Sequence, residues 1–582
     1  MCSVIRDRNK NNKNYTMKNI YILLIGLLTL TVGCSDTFTD VDPIGSLNDA
    51  QLANAQGIDL LLTGTYSVLD GVRNNGIGNG WGRSADNWVM DVASDDAHKG
   101  STDGDQPDLY SLELYNWQTA NGYFLARWGV LFAGVNRANS VINLIASSDD
   151  PAAYVVQNAQ ARFLRAHYNF ELIKHYVNVP DITPELAAAL TYSVPNTGET
   201  ALTYDKIAAD FAYAMANLPA SRGAGYEGMG RPVSSTAQAF LGKVHLYKGE
   251  WSQASTNLEA VISSGQYGLH PQLVDNFKSA TENGAEAVFA IQYSADDGQV
   301  RQGNATGALN YPAAFGWCCG FYQPTQDLVD AYQTQSGLPM LDTFQASSAM
   351  DHDYGINSDE AFTLPTATVD PRLDFTVGRR GVDYNGYGLH EGKGWIRANF
   401  SDISGPYLPK KNIFQATDAN NFAQGGWGQN LSGINYHIMR YADVLLMAAE
   451  AAVETGNLER GRTLVNQIRQ RAKSMTPIAG TNPSIELYTA PWTDQAVARK
   501  AVRFERRLEL AMEGHRYFDL VRWGNLPGGN MPAHMAAYIA NESATITTFA
   551  KGQVFEAKHT YFPIPLQGID QSNGTLTQNP GH

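Results

Sequence analysis

Apolar residues recur every three or four positions in several stretches of the chain, the spacing that turns one face of an α-helix toward a core. The clearest stretch is Gln160–Tyr176, which includes Ala-Arg-Phe-Leu-Arg-Ala-His-Tyr-Asn-Phe-Glu-Leu-Ile. Tyr204–Leu218 repeats the pattern and stops at Pro219, a residue that ends helices. Leu125–Ile145 reads as a further helix. Two helix pairs follow, Ser235–Lys248 with Trp251–Ser263, and His437–Glu454 with Leu458–Ala472. Each pair has an Ala-rich first helix, a glycine turn (Gly249, Gly456) and a small residue five places on (Ala254, Gly461). A small residue there lets two helices approach closely, as in tetratricopeptide-type repeats. The pattern predicts a mainly α fold with tetratricopeptide-like helix pairs as scaffold.

Gly265–Asn435 breaks the periodicity. It is rich in Gly, Asn, Tyr, Pro and Trp. A structureless segment of that length is unusual in a compact domain, so short strands and ordered loops are expected on the helical scaffold. Such loops tend to carry binding function. The division is therefore 34–264 helical, 265–435 loop-rich with short strands, and 436–582 helical, following a leader at 1–33.

The leader reading rests on Ile20–Gly33, a short apolar run preceded by Lys18. It is too short to span a membrane comfortably but suits a secretory signal. Gly33-Cys34 then resembles a lipobox, which makes Cys34 the expected lipidation site. The match departs at Thr31, where an apolar residue is usual and Leu30 stands one place early. Met17-Lys18 is a more usual start than Met1.

Composition narrows the function classes. The formal net charge is -15, and the charged residues of the leader are mostly basic (Arg6, Arg8, Lys10, Lys13 and Lys18 against Asp7), so the remainder is more acidic still. No basic footprint for nucleic acid exists. Aromatics are abundant, with 29 Tyr, 22 Phe and 10 Trp, which suits neutral polar ligands that stack. No G-x-S-x-G elbow, H-E-x-x-H or phosphate loop occurs, and the four cysteines lack zinc spacing. A helical glycoside hydrolase would need two carboxylates about 5–9.5 Å apart, which a sequence cannot display. No catalytic residue is assigned.

Candidate binding residues fall in three places. Asp91, Asp95 and Asp96, with Asp103 and Asp105, form an acid-dense loop. It could hold a structural calcium, with Asp91, Asp95 and Asp103 as ligands, or accept hydrogen bonds from hydroxyls through Asp96, or simply cap turns. Asp70, Asn74 and Trp81 precede it. Phe315-Gly-Trp317-Cys318-Cys319-Gly-Phe-Tyr322 is the sharpest motif: adjacent cysteines in an oxidising exterior could pair and make an apolar platform beside Trp317. The alternative is two buried thiols behind a packed Trp. Trp117, Arg397 and Tyr407 are added as loop residues able to stack or donate. Glu505, Glu509 and Glu513, interleaved with arginines, read as structural ion pairs on one helix face.

Several motifs together resemble one family. They are Leu60-Leu-Leu-Thr-Gly-Thr-Tyr66, Ala161-Arg-Phe-Leu-Arg-Ala166 followed by Asn178-Val-Pro180, and Pro324-Thr-Gln-Asp-Leu-Val-Asp-Ala-Tyr332. Asp370-Pro-Arg-Leu373, Arg440-Tyr-Ala-Asp-Val-Leu-Leu-Met447 and Ala449-Glu-Ala451 continue the series. Arg506-Arg-Leu-Glu-Leu510, Glu513-Gly-His-Arg-Tyr-Phe-Asp-Leu520, Phe562-Pro-Ile-Pro565 and Gln578-Asn-Pro-Gly581 complete it. In this order they resemble a SusD/RagB-type outer-membrane lipoprotein of Bacteroidetes. The resemblance implies a non-enzymatic, surface-anchored binder that caps a SusC-like TonB-dependent transporter. It also implies an oligosaccharide ligand, or a peptide in RagB-like branches, held by loops around Trp317. The acid-dense loop with Cys318-Cys319 suggests the fructan-binding type.

Overall fold

The computed structural model describes residues 49–71, 80–295, 303–347, 350–397, 403–418, 421–424, 428, 430–526, 529–546, 549 and 553–582. Residues 1–33, Cys34 and Asn74 lie outside these. The longer helices are α1 (Ala55–Tyr66), α2 (Gly122–Ala146), α3 (Val155–Tyr176), α4 (Tyr204–Asn217), α5 (Ser234–Lys248) and α6 (Trp251–Ser263), followed by α7 (Tyr441–Glu454), α8 (Leu458–Ser474), α9 (Gln495–Leu510), α10 (Arg516–Gly524) and α11 (Met531–Thr545).

Local chemistry starts and stops them. Asn54 and Asn457 each accept a backbone N–H at the start of α1 and α8, and the Asp494 carboxylate accepts two at the start of α9. Gly249, at φ 73°, ends α5 in the left-handed conformation that costs glycine least. A Cβ on Gly461 would sit 2.6 Å from Val453 Cγ2, so α7 and α8 pack through the small residue expected there.

The helices pack in chain order. α2 lies on α3, α3 on α4, α4 on α5, α5 on α6, and α7 on α8 and α9. α6 packs directly on α7 although the whole loop-rich segment separates them in sequence. The segment is tied at its base by strand β2 (Ala287–Ile291), antiparallel to Tyr436–Arg440, which serves here as β4. The expectation of a helix from His437 is corrected here: 437–440 complete a strand and helix begins at Tyr441. Tyr-His-Ile-Met-Arg continues the apolar spacing of the helix after it, which hides the boundary.

Strand β1 (Ala97–Gly100) pairs antiparallel with β3 (Phe321–Pro324), matching His98 to Gln323 and Gly100 to Phe321. This pairing fastens the acid-dense loop to the Cys318-Cys319 segment. The loop-rich region also has its own small core of Tyr311, Tyr384, Trp395, Leu408, Ile413 and Phe414, with Trp317 and Tyr387 packed on it.

A charged layer lies beneath both. Arg440 donates to Glu286, Glu509 and Glu513 at 2.6–2.8 Å, and Arg372 joins Asp370, Glu505 and Glu509, all buried. Glu505 and Glu509 are in α9, whereas Glu513 lies past its end, so the three do not share one helix face. Burial alone would raise the Glu513 carboxyl; Arg440 and Lys411 override it and hold it at about 2.

Candidate functional site

The β1–β3 pairing decides which loops meet. The turn after β1 delivers Asp105 and Gln106, and the segment before β3 delivers Trp317, Cys318 and Cys319. Trp81, from the turn Gly80–Arg83, and Arg397 complete the lining of a cleft of about 440 Å³. That size suits a small ligand.

Cys318 and Cys319 are joined as a vicinal disulfide, across a cis peptide bond. The backbone behind the bridge is fixed: Cys319 N–H donates to the Leu309 carbonyl at 2.9 Å and Gly320 N–H to that of Tyr311 at 2.8 Å. Arg397 holds the front. One guanidinium nitrogen donates to Cys318 Sγ at 3.2 Å, and the other meets Asp105 Oδ2 at 3.1 Å. Asp105 Oδ2 also accepts from Ser101 Oγ at 3.0 Å. Arg397 and Asp105 are 36% and 28% exposed, so both remain open to a ligand from the cleft.

Trp317 is wedged edge-on against Tyr311, Phe414 and Tyr387, at centroid distances of 5.7, 5.0 and 5.0 Å. Phe315 stacks outside it, 4.9 Å from Trp317 and 5.1 Å from Tyr387. Phe315 is 45% exposed and sits at φ 64°. An exposed aromatic in left-handed backbone is unfavourable on both counts, and such strain concentrates at binding sites. The cleft thus offers two indoles and a disulfide as apolar faces, with Arg397, Asp105 and Gln106 for hydroxyls. Asp105 is its sole lining carboxylate among the described residues, so no acid pair of the glycosidase kind lines it.

Six residues named from the sequence converge here: Trp81, Asp105, Trp317, Cys318, Cys319 and Arg397. Others are corrected. Trp117 is 5% exposed and packs among Tyr115, Phe124, His559 and Phe562. Tyr407 is buried too, its hydroxyl donating to Gln326 Oε1 at 2.6 Å. Asp96 is fully buried and bound to Arg507 at 2.8 Å, where no hydroxyl of a ligand reaches. Asp91 and Asp95 are buried away from Asp103, so the three do not form a calcium site. Asp91 accepts from Tyr322 O–H and Tyr517 N–H; burial, then Asp96, pushes its carboxyl up to about 7. Burial would raise Asp95, but Arg507 and Arg516 hold it well below the usual range. Asp103 is exposed and accepts its neighbour Gly104 N–H. Asp70 is half-buried near Tyr168 and Tyr293 and does not line the cleft. Gln106, Leu309 and Ala313 line the cleft and were not singled out in the sequence; Phe315, which opens the cysteine motif, and Tyr387 pack on Trp317 without lining it.

Comparison with known proteins bears on the whole chain. Residues 285–582 match the family model described as SusD family, and 68–246 match one described as starch-binding associating with outer membrane. The chain belongs to the SusD family. Members of this family are carbohydrate-binding proteins rather than enzymes, and the second model describes a kind associated with the outer membrane. It is 24% identical to SusD-like protein P2 of Formosa agariphila, over 97% of this chain and 100% of that one. A SusD superfamily protein from Bacteroides vulgatus superposes with a TM-score of 0.66 at 22% identity, covering 91% and 100% of the two chains. Surface glycan-binding protein A from Bacteroides thetaiotaomicron, solved with laminarihexaose, gives 0.62 at 20%, covering 90% and 99%. These structures share the SusD fold, and the expected mainly α scaffold with short strands is the one found.

Proposed function

We propose that the protein is lipid-anchored at the cell surface through Cys34, captures an oligosaccharide in the Trp81–Trp317–disulfide cleft and hands it to a SusC-like TonB-dependent transporter. The observation that carries this is the cleft itself, which pairs apolar faces with a half-exposed Arg–Asp couple. Sugar rings present C–H faces to indoles and hydroxyls to charged partners, whose hydrogen bonds are stronger than neutral ones. The lining is held by packing and backbone bonds, so little conformational freedom is lost on binding. The lipobox-like Gly33-Cys34 supports the anchor.

A fructan is the ligand suggested by the cysteine motif together with the acid-dense loop, of which Asp105 reaches the cleft while Asp91, Asp95 and Asp96 are buried. The laminarihexaose-bound neighbour brings a β-glucan into the same test. Calorimetric titration of a soluble form lacking Cys34 with levan, inulin and laminarin, with reducing ends assayed on the same samples, decides among them. Saturable heat with no new reducing ends is expected. Heat from none of the glycans, or release of reducing ends, would overturn the reading.

A further inference from the structure

A second cavity, of about 290 Å³, shares no lining residue with the cleft. It lies between α9, α10, the start of α11 and the turn Leu341–Ala346. Its walls are largely apolar, formed by Phe344, Phe504, Leu520, Trp523 and Met531. Basic side chains also line it, and all but one are already matched. Arg507 is held by Asp96 and Asp327, and Arg516 and His534 by Asp95. Lys500 is paired with Asp342 at the rim.

Arg503 is the exception. Among the described residues it makes no hydrogen bond or ion pair, and its Nε is buried without a partner. The two acidic groups whose fields reach it are engaged elsewhere: Glu450 by Arg522 and Glu454 by Arg499. The guanidinium lies 5.0 Å from the Trp523 ring, which holds it by a cation–π contact while leaving its fork of donors unspent. An unpaired arginine in an apolar cavity favours one kind of guest: a single planar anion, matched bidentately, on a hydrophobic body.

We propose that this cavity is a second ligand site, which takes a small carboxylate with an aromatic body, Arg503 binding the carboxylate and Trp523 and Phe504 the ring. The proposal is independent of the glycan reading.

The test is calorimetric titration of the full-length protein in detergent with 3-phenylpropionate and its neutral counterpart 3-phenylpropanamide. One-site binding of the acid is expected, with the amide at least tenfold weaker. Arg503→Gln is expected to lose at least tenfold for the acid and little for the amide. Arg503→Lys, which keeps the charge but not the fork, is expected to lose at least threefold and carries the test if the Gln variant fails to fold. Equal binding of acid and amide, unchanged binding in the folded variants, or no saturable binding of the acid would overturn the proposal.

Discussion

Arg507 meets Asp96 at 2.8 Å and Arg397 meets Asp105 at 3.1 Å, yet the two pairs belong to different kinds of structure. The first is buried in the charged layer, where Arg372, Arg440, Arg506, Arg507, Arg516 and Arg522 each face carboxylates. The second stands half-open at the rim of the aromatic cleft. Buried, a pair matters mostly through what its loss leaves behind, an uncompensated charge out of water. At a rim, a pair adds little to stability and stays available to a ligand. Density of charge in this sequence therefore marks the frame, and the sparse charge among aromatics marks the proposed site.

The largest effect expected from that contrast is in the frame. Arg440→Met removes the cation shared by Glu286, Glu509 and Glu513, leaving Glu509 to Arg372 and Glu513 to Lys411, and is expected to lower unfolding free energy by about 3–5 kcal/mol in urea titration. A loss under about 1 kcal/mol would mean that the layer relaxes by taking in water or protons.

Next is His98, buried between Glu113 at 2.7 Å and Glu542 at 2.8 Å. Burial alone would lower its pKa; hydrogen bonds to the two carboxylates override this and raise it from 6.5 to about 10. A folded-state pKa above the unfolded one gives stability that is fully present below about 6.5 and is lost as pH rises through about 10. His98→Gln is therefore expected to cost about 2 kcal/mol or more at pH 6 and much less at pH 10. A difference from the parent that stays constant across pH 6–10 in denaturation curves would contradict a charged His98.

Effects in the cleft are expected on affinity instead. Arg397→Ala should shift the melting temperature by no more than a degree or two while weakening glycan binding about five- to tenfold, near 1 kcal/mol. Phe315→Gly removes the exposed ring and relieves its left-handed backbone. Affinity should fall a few-fold, with stability unchanged or raised by up to about 1 kcal/mol. A large loss of stability in either variant would place these residues with the frame.

The same contrast explains what the sequence displayed. Helices α3 to α8 were legible because burial of one face imposes its period locally. The cysteine motif was legible because its platform, Trp317 and Cys318-Cys319, is contiguous in sequence. Asp95 and Asp96 were not legible: their partners Arg516 and Arg507 lie 421 and 411 residues away, and an unpaired acidic loop looks like surface. Trp117 was misplaced for the same reason, since His559 and Phe562 cover it from the far end of the chain. Tyr407 sits in a loop-rich stretch but points into Gln326. Where function needs contiguity the signal is local; where stability draws on distant partners it is not.

The most direct measurement is a paired calorimetric titration, the soluble parent and Trp317→Ala against the same levan, inulin and laminarin solutions. The parent is expected to bind at least one glycan saturably, and the variant to bind it at least tenfold more weakly while staying folded, with a melting temperature lowered by the packing Trp317 loses. Equal affinity in a folded Trp317→Ala protein, or no binding by the parent, would contradict the assignment of the cleft as the glycan site.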